Sequence, residues 1–331
     1  MVCVTCIVDL SFNITLQTQA ASAATRVVGG RVDTGGAFQR RCAWRIATAQ
    51  GGVGLEKGRW LGTVEIRSAE QFGDAVMRDY RRRQNYGDRT VVASAAGPNL
   101  ETKSLGHPVY EELEVGQRRA GTLAIVFLDL TDFTGRSFWD DEDQVVDLAD
   151  AVLGSFIQVV AGFGGFPLGL RGDGLFAGFG PSSSDVDVLM ALSACAFALH
   201  AVEEGLNPQL DAAGIERVQA RAGVDFGRVT FVRTGSRDNN EVNVIGFAAN
   251  FAAKCEKLAK SWEIIAGEGA QRALPESPWL VKHAKSPKPF QRNYKVRHYH
   301  YYDYRWRPSL PHLPGAMGQI GGHPTAQISI G

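Results

Sequence analysis

The chain has 331 residues and is 44% hydrophobic, with 35 basic and 35 acidic side chains. This is enough apolar material for one sizeable core. The zero formal charge gives no footprint for nucleic acid or an acidic membrane surface. No uninterrupted run reaches the roughly 18 apolar residues that a membrane span needs.

Residues 1–105 read as an N-terminal extension, partly disordered, because "RVVGGRVDTGG" and "AQGGVGLEKG" are glycine-rich and lack apolar periodicity. Within it, "GDAVMRDYRRRQNYGDR" reads as a short basic helix. The apolar first 25 residues lack a basic leader and do not read as a secretory signal. Cys3, Cys6, Cys42, Cys195 and Cys255 are odd in number and scattered, which fits a reducing, cytoplasmic compartment. The Cys3–Cys6 pair has no second pair nearby to make a metal site.

From residue 106 to 306 the pattern sharpens into one domain. "TLAIVFLDL" is a strand. In "DEDQVVDLADAVLGSFIQVV", Val145, Val146, Leu148, Val152, Leu153, Phe156 and Ile157 form one helical face. "PLGL" and "LFAGF" flank the turn "RGDG". "DVDVLMALSACAFALHAVEEGL" predicts a second helix, stopped at Gly205 and Pro208. "QARAGVDFG" and "RVTFVRTG" predict a hairpin, "GFAANFAAKCEKLAK" a third helix and "EIIAGEG" a strand. "HYHYYDYR" alternates as a last strand, and residues 307–331 read as a flexible tail. The order implies helices packed on a mostly antiparallel sheet.

Two acidic positions carry the chemistry. Asp129 ends a strand of apolar residues, where an acid is a poor core residue. Asp173 sits in the glycine-flanked turn of "RGDG". Brought to one sheet edge, the two carboxylates repel unless a hard cation such as Mg²⁺ or Mn²⁺ lies between them, completed by substrate phosphates. Asp132 reads as a helix-start residue, and the backbone N–H groups of the following "TDFTGRS" offer a phosphate contact at Phe133 and Thr134. Arg221 opens a strand and has the reach for a phosphate. Asn250 and Lys254, four apart on one helical face, suit a ribose oxygen and a phosphoryl charge.

In this order, "VFLDLTDFT", "LRGDGLFAGF", "RAGVDFGRV" and "NVIGFAANFAAKCEKLAK" resemble the four motifs of the class III nucleotidyl cyclases, over about residues 120–270. The resemblance implies an α+β, ferredoxin-like catalytic domain acting as a homodimer with sites at its interface. It implies two Mn²⁺ or Mg²⁺ ions per site, held by Asp129, Asp173 and the Leu130 carbonyl. Asn250 would orient the ribose, and Lys254 stands where the family has an arginine. Gly169 and Asn243 occupy the base-recognition places, and neither matches the adenylate or guanylate pattern. That departure resembles the bacterial pyrimidine cyclases of the Pycsar anti-phage system. It implies conversion of UTP to cyclic UMP, a messenger read by a separate effector. The alternatives are a cytidylate cyclase, then an adenylate cyclase, then a silent nucleotide-binding module. Nucleic-acid and membrane partners are not expected.

Overall fold

The computed structural model describes residues 66–85 and 105–314. Cys3, Cys6, Cys42 and the glycine-rich stretches of the first 65 residues lie outside the described residues.

The central strand β1 (Arg118–Thr131) alternates along its length. Ala124, Val126, Leu128 and Leu130 enter one core, and Leu123 and Ile125 enter a second on the opposite face. Antiparallel partners flank it: β3 (Gly174–Phe179) on one side and β4 (Gln219–Gly235) on the other. With β2 (Phe166–Arg171), β5 (Asn240–Ile245), β6 (Ile264–Gly267), β7 (Leu280–Lys282) and β10 (Tyr301–Tyr304), the described residues form an eight-stranded sheet. Its order is β2-β3-β1-β4-β6-β10-β7, with β5 beside β4 and only β4–β6 parallel. The expected mostly antiparallel α+β architecture is what forms.

Helices α1 (Ala69–Asn85), α3 (Glu142–Gly162) and α4 (Ser184–His200) cover the first face. The short α2 (Phe133–Trp139) follows β1 directly. The second face carries α6 (Phe247–Leu258), whose Ala248, Ala249 and Ala252 lie on Leu123, Ile125 and Phe231.

Several expectations need correction. The domain is not confined to residues 106–306, because α1 buries Phe72, Val76, Met77 and Tyr80 in the same core, and Trp306, Leu310 and Leu313 close its far side. Each such side chain contributes about 1.5–3 kcal/mol of burial, which outweighs the weak local pattern of the segment. Gly205 does not stop the second helix. The chain continues as a π-helical turn, Ala201–Leu206, and then α5 (Asn207–Ala212). Gly205 instead admits α1, since a Cβ there would fall 1.8 Å from the Ala69 carbonyl oxygen. Pro208 sits in the first turn of α5, where no N–H is needed. The hairpin expected within residues 219–235 is one continuous strand of 17 residues, and its hairpin partner is β5. The final alternating strand is broken at His300. Its first half is β9 (Lys295–Tyr299), paired with β8 (Lys288–Arg292) in a separate ribbon. Val146 is exposed at 58%, unlike the rest of its predicted face. Finally, residues 142–162 and 184–212 are long and apolar enough to cross a membrane by length and composition, contrary to the sequence reading. Much of each is buried in the core of the domain.

Candidate active site

The alternation of β1 puts Asp129 on the same face as Leu123, Ile125 and Phe127, at the end that α6 crosses. Strand register then sets its neighbours. Arg171 on β2 opposes Gly174 on β3, Gly174 opposes Asp129, and Asp129 opposes Arg221 on β4. Directly opposed residues share a face, so these four form one row across four strands. One row further back lie Gly169, Phe176, Phe127 and Gly223.

Glycines in these rows decide what can meet. At Gly174 a Cβ would lie 3.0 Å from Asp129 Oδ1, so the missing side chain leaves the carboxylate its place. At Gly223 a Cβ would lie 2.1 Å from the Glu256 backbone nitrogen, so α6 presses directly onto the sheet. That contact delivers Glu256 to the row. The turn between β2 and β3, with Gly172 at φ +65°, brings Asp173 alongside, and its carbonyl accepts from Leu130 N–H at 3.3 Å. The Asp129 end of β1 and the Asp173 turn are therefore tied together by the backbone.

Asp129, Asp132, Phe133, Arg171, Asp173, Arg221, Glu256 and Lys257 line one cleft of about 550 Å³, with Phe127 and Leu130 among its walls. The expected convergence of Asp129 and Asp173 is observed. Arg221 donates to Asp129 Oδ2 from Nε (3.0 Å) and Nη2 (2.7 Å). Its Nη2 also lies 2.6 Å from Glu256 Oε1 as an ion pair. The guanidinium is thus committed to two carboxylates, rather than standing free for a phosphate as its sequence position suggests. Burial raises the Asp173 pKa, and the charge of Asp129 raises it further. Burial likewise pushes Glu256 up to about 7, with the Asp129 carboxylate adding to the rise.

The other predicted residues are placed less centrally. Asp132 starts α2 as expected, in the N-cap position at φ 58°, but its side chain makes no cap bond and the residue lines the cleft. The side chain of Thr134 lies outside the described ones. Asn250 is exposed on α6, and Lys254 Nζ lies 5.2 Å from the centre of the Phe290 ring. Neither lines the cleft of its own chain. Asn243, on β5, accepts from its neighbour Val244 N–H at 2.8 Å and is also outside the cleft. Sequence reasoning missed Glu256. Its signal is an acid in the buried stripe of α6, four residues after Ala252 and eight after Ala248.

Among the described residues no group of three or more His, Cys, Asp and Glu is arranged as a metal site by itself. The donor set does suit a hard divalent cation shared with a ligand. Asp129 and Asp173 offer carboxylate oxygens, and the Asp173 pKa is raised, first by burial and then by the nearby Asp129 charge, which places the two carboxylates within electrostatic reach of each other. Mg²⁺ or Mn²⁺ fits there, with the Leu130 carbonyl at the same strand end.

The crystal structure of the adenylyl cyclase CyaB from P. aeruginosa superimposes with a TM-score of 0.51 at 20% identity, covering 57% of this chain and 95% of that one. The chain carries the class III nucleotidyl cyclase fold. In sequence it is 23% identical over 178 residues to a cytidylate cyclase of Escherichia coli, covering 51% of this chain and 38% of that protein. It is 25% identical over 137 residues to adenylate cyclase 1 of Rhizobium meliloti (strain 1021), covering 41% of this chain and 21% of that protein. The matches thus span less than half the length of these curated relatives. No protein-family model matches the chain. The class III resemblance carried by the four motifs accords with these relatives, and the cleft is lined by residues from all four of them.

Proposed function

We propose that this chain is a nucleotidyl cyclase acting on a pyrimidine nucleoside triphosphate. The observation that carries the reading is the cleft itself: an acidic strand end and an acidic turn joined by a backbone hydrogen bond, beside an arginine fixed by two carboxylates. A triphosphate and two divalent ions balance such a site, whereas a structural ion-pair network has no use for the acidic turn at Asp173.

In the reaction the ribose 3′-oxygen attacks the α-phosphorus, the bond to the β-phosphate oxygen breaks, and pyrophosphate leaves while the hydroxyl proton goes to solvent. Two bound Mn²⁺ or Mg²⁺ ions would acidify the hydroxyl and neutralise the triphosphate. Asp129, Asp173 and the Leu130 carbonyl hold them. Arg221 keeps Asp129 oriented and supplies fixed positive charge at the cleft floor. Phe133, buried where β1 meets α2, with Thr134 next to it, shapes the phosphate end. Asn250 and Lys254 come from a second copy of the chain, so each homodimer has two sites. Asn250 orients the ribose, and Lys254 meets charge on the transferring phosphoryl group.

The unusual base positions Gly169 and Asn243 support a pyrimidine, and the resemblance to the Pycsar cyclases favours UTP. The similarity to a cytidylate cyclase supports CTP. The cyclic product then serves as a messenger to a separate effector in anti-phage defence. Incubation of the purified chain with Mn²⁺ and each of the four triphosphates tests this reading. Cyclic CMP or cyclic UMP is the expected product. Cyclic AMP alone, or no product from any of them, overturns it.

A further inference from the structure

Two arginines line the cleft, and they differ in what holds them. Arg221 is locked to Asp129 and Glu256. Arg171 is exposed, forms no ion pair among the described residues, and donates only to the Leu170 carbonyl, at 3.0 Å. Its backbone sits in the row of Asp129, but its side chain turns away from the carboxylates. Nη1 lies 3.6 Å from where a Cβ of Gly169 would be, with nothing else that close to that point. The guanidinium therefore lies beside Gly169, in the next row back, whose Phe176 and Phe127 stack with centroids 4.8 Å apart. A Cβ at Gly169 would meet the guanidinium at ordinary contact distance, and only a longer side chain there would compete with it for this space.

We infer that Arg171 reads the nucleobase and selects cytosine over uracil, an inference resting on the pyrimidine cyclase reading above. The phosphates belong at the carboxylate end of the cleft, so a fork directed away from that end meets the distal part of a bound nucleotide. A guanidinium has donors only, in a planar fork. It is satisfied by two adjacent acceptors on one edge. Cytosine offers them as O2 and N3. Uracil separates its two carbonyl oxygens by the N3–H donor, so one arm of the fork faces a donor. Adenine pairs each of N1 and N7 with the donor N6, and fails in the same way; guanine, with O6 beside N7, satisfies the fork and is set aside by the pyrimidine reading alone. A free, uncommitted arginine in a cleft whose other arginine is fully engaged is the feature that the motifs alone do not assign.

The test compares the wild type with Arg171→Ala and with Arg171→Lys, which keeps the charge and loses the fork. Turnover of CTP and UTP is measured, and binding of 3′-deoxy-CTP and 3′-deoxy-UTP, which lack the nucleophile, is measured by calorimetry. The wild type should prefer the cytosine nucleotide. Both variants should lose that preference by about tenfold, the size of a bidentate base contact, through KM and binding affinity more than kcat. Equal weakening for both nucleotides marks Arg171 as a phosphate contact and overturns the inference. So does an unchanged ratio, or a wild type that prefers uracil. A wild type that binds 3′-deoxy-CTP selectively yet cyclises nothing contradicts the cyclase reading and leaves the base-reading role standing.

Discussion

The two sides of α6 behave differently. Ala253, Glu256 and Lys257, spaced three and four apart, face the cleft of their own chain and meet the acidic strand end and turn there. Asn250 and Lys254, also four apart, look elsewhere: one into solvent, the other toward Phe290 on the β8–β9 ribbon. One side completes an electrostatic cluster within the chain. The other carries polar groups with no chemistry to serve there. Under the proposed function, the contrast teaches that a single chain folds half of a site, and that the same helix serves its own cleft and that of a second copy.

The hardest blow to the cleft side is loss of an acid. Asp129→Ala or Asp173→Ala should each lower cyclisation by at least about a hundredfold, measured as product formed with Mn²⁺, while size-exclusion chromatography shows an unchanged oligomer. Activity above a few per cent of wild type in either variant would remove that acid from the metal set.

A smaller effect separates the cleft from the rest of the buried charge. Asp225 is fully buried on β4 and accepts from Phe226 N–H (2.9 Å), Gly269 N–H (3.1 Å) and the Tyr299 hydroxyl (3.1 Å). Desolvation still dominates and pushes its pKa up to about 7. Unfolded, it titrates near the ordinary aspartate value of about 4. Between these values the folded state keeps a proton that the unfolded state has released. Stability from this residue is therefore full below pH ~4 and is lost as pH rises through ~7. Asp225→Asn should flatten the fall in melting temperature between pH 4 and 8 and leave cyclisation rates nearly unchanged. A variant with the wild-type slope would contradict the assignment.

Much of this was legible before any coordinates. An acid directly after five apolar strand residues is improbable as core, so Asp129 announces itself, and the glycines around Asp173 announce a turn. What was not legible depends on register and close approach. Glu256 matters because Gly223, far off in sequence, lets α6 sink onto the sheet. Arg171 matters because its side chain lies back over Gly169, a direction that no spacing encodes. Arg221 seemed a free phosphate contact because its two carboxylate partners come from β1 and α6. The hairpin expected within residues 219–235 is a continuous β4 because pairing with β1 over residues 219–232 holds it extended. The short basic helix expected in the N-terminal extension forms as α1, but its burial is not legible, because the place for it is left by Gly205 in the distant π-helical turn.

The most direct test of the half-site claim mixes two dead chains. Asp129→Ala lacks the cleft side, and Asn250→Ala lacks the outward side. Each alone should be inactive. Refolded together in equal amounts, half the dimers are mixed and one of their two sites is intact, so about a quarter of wild-type activity should return. No recovery on mixing, with mixed dimers demonstrated by differential tagging, would contradict a site shared between two copies.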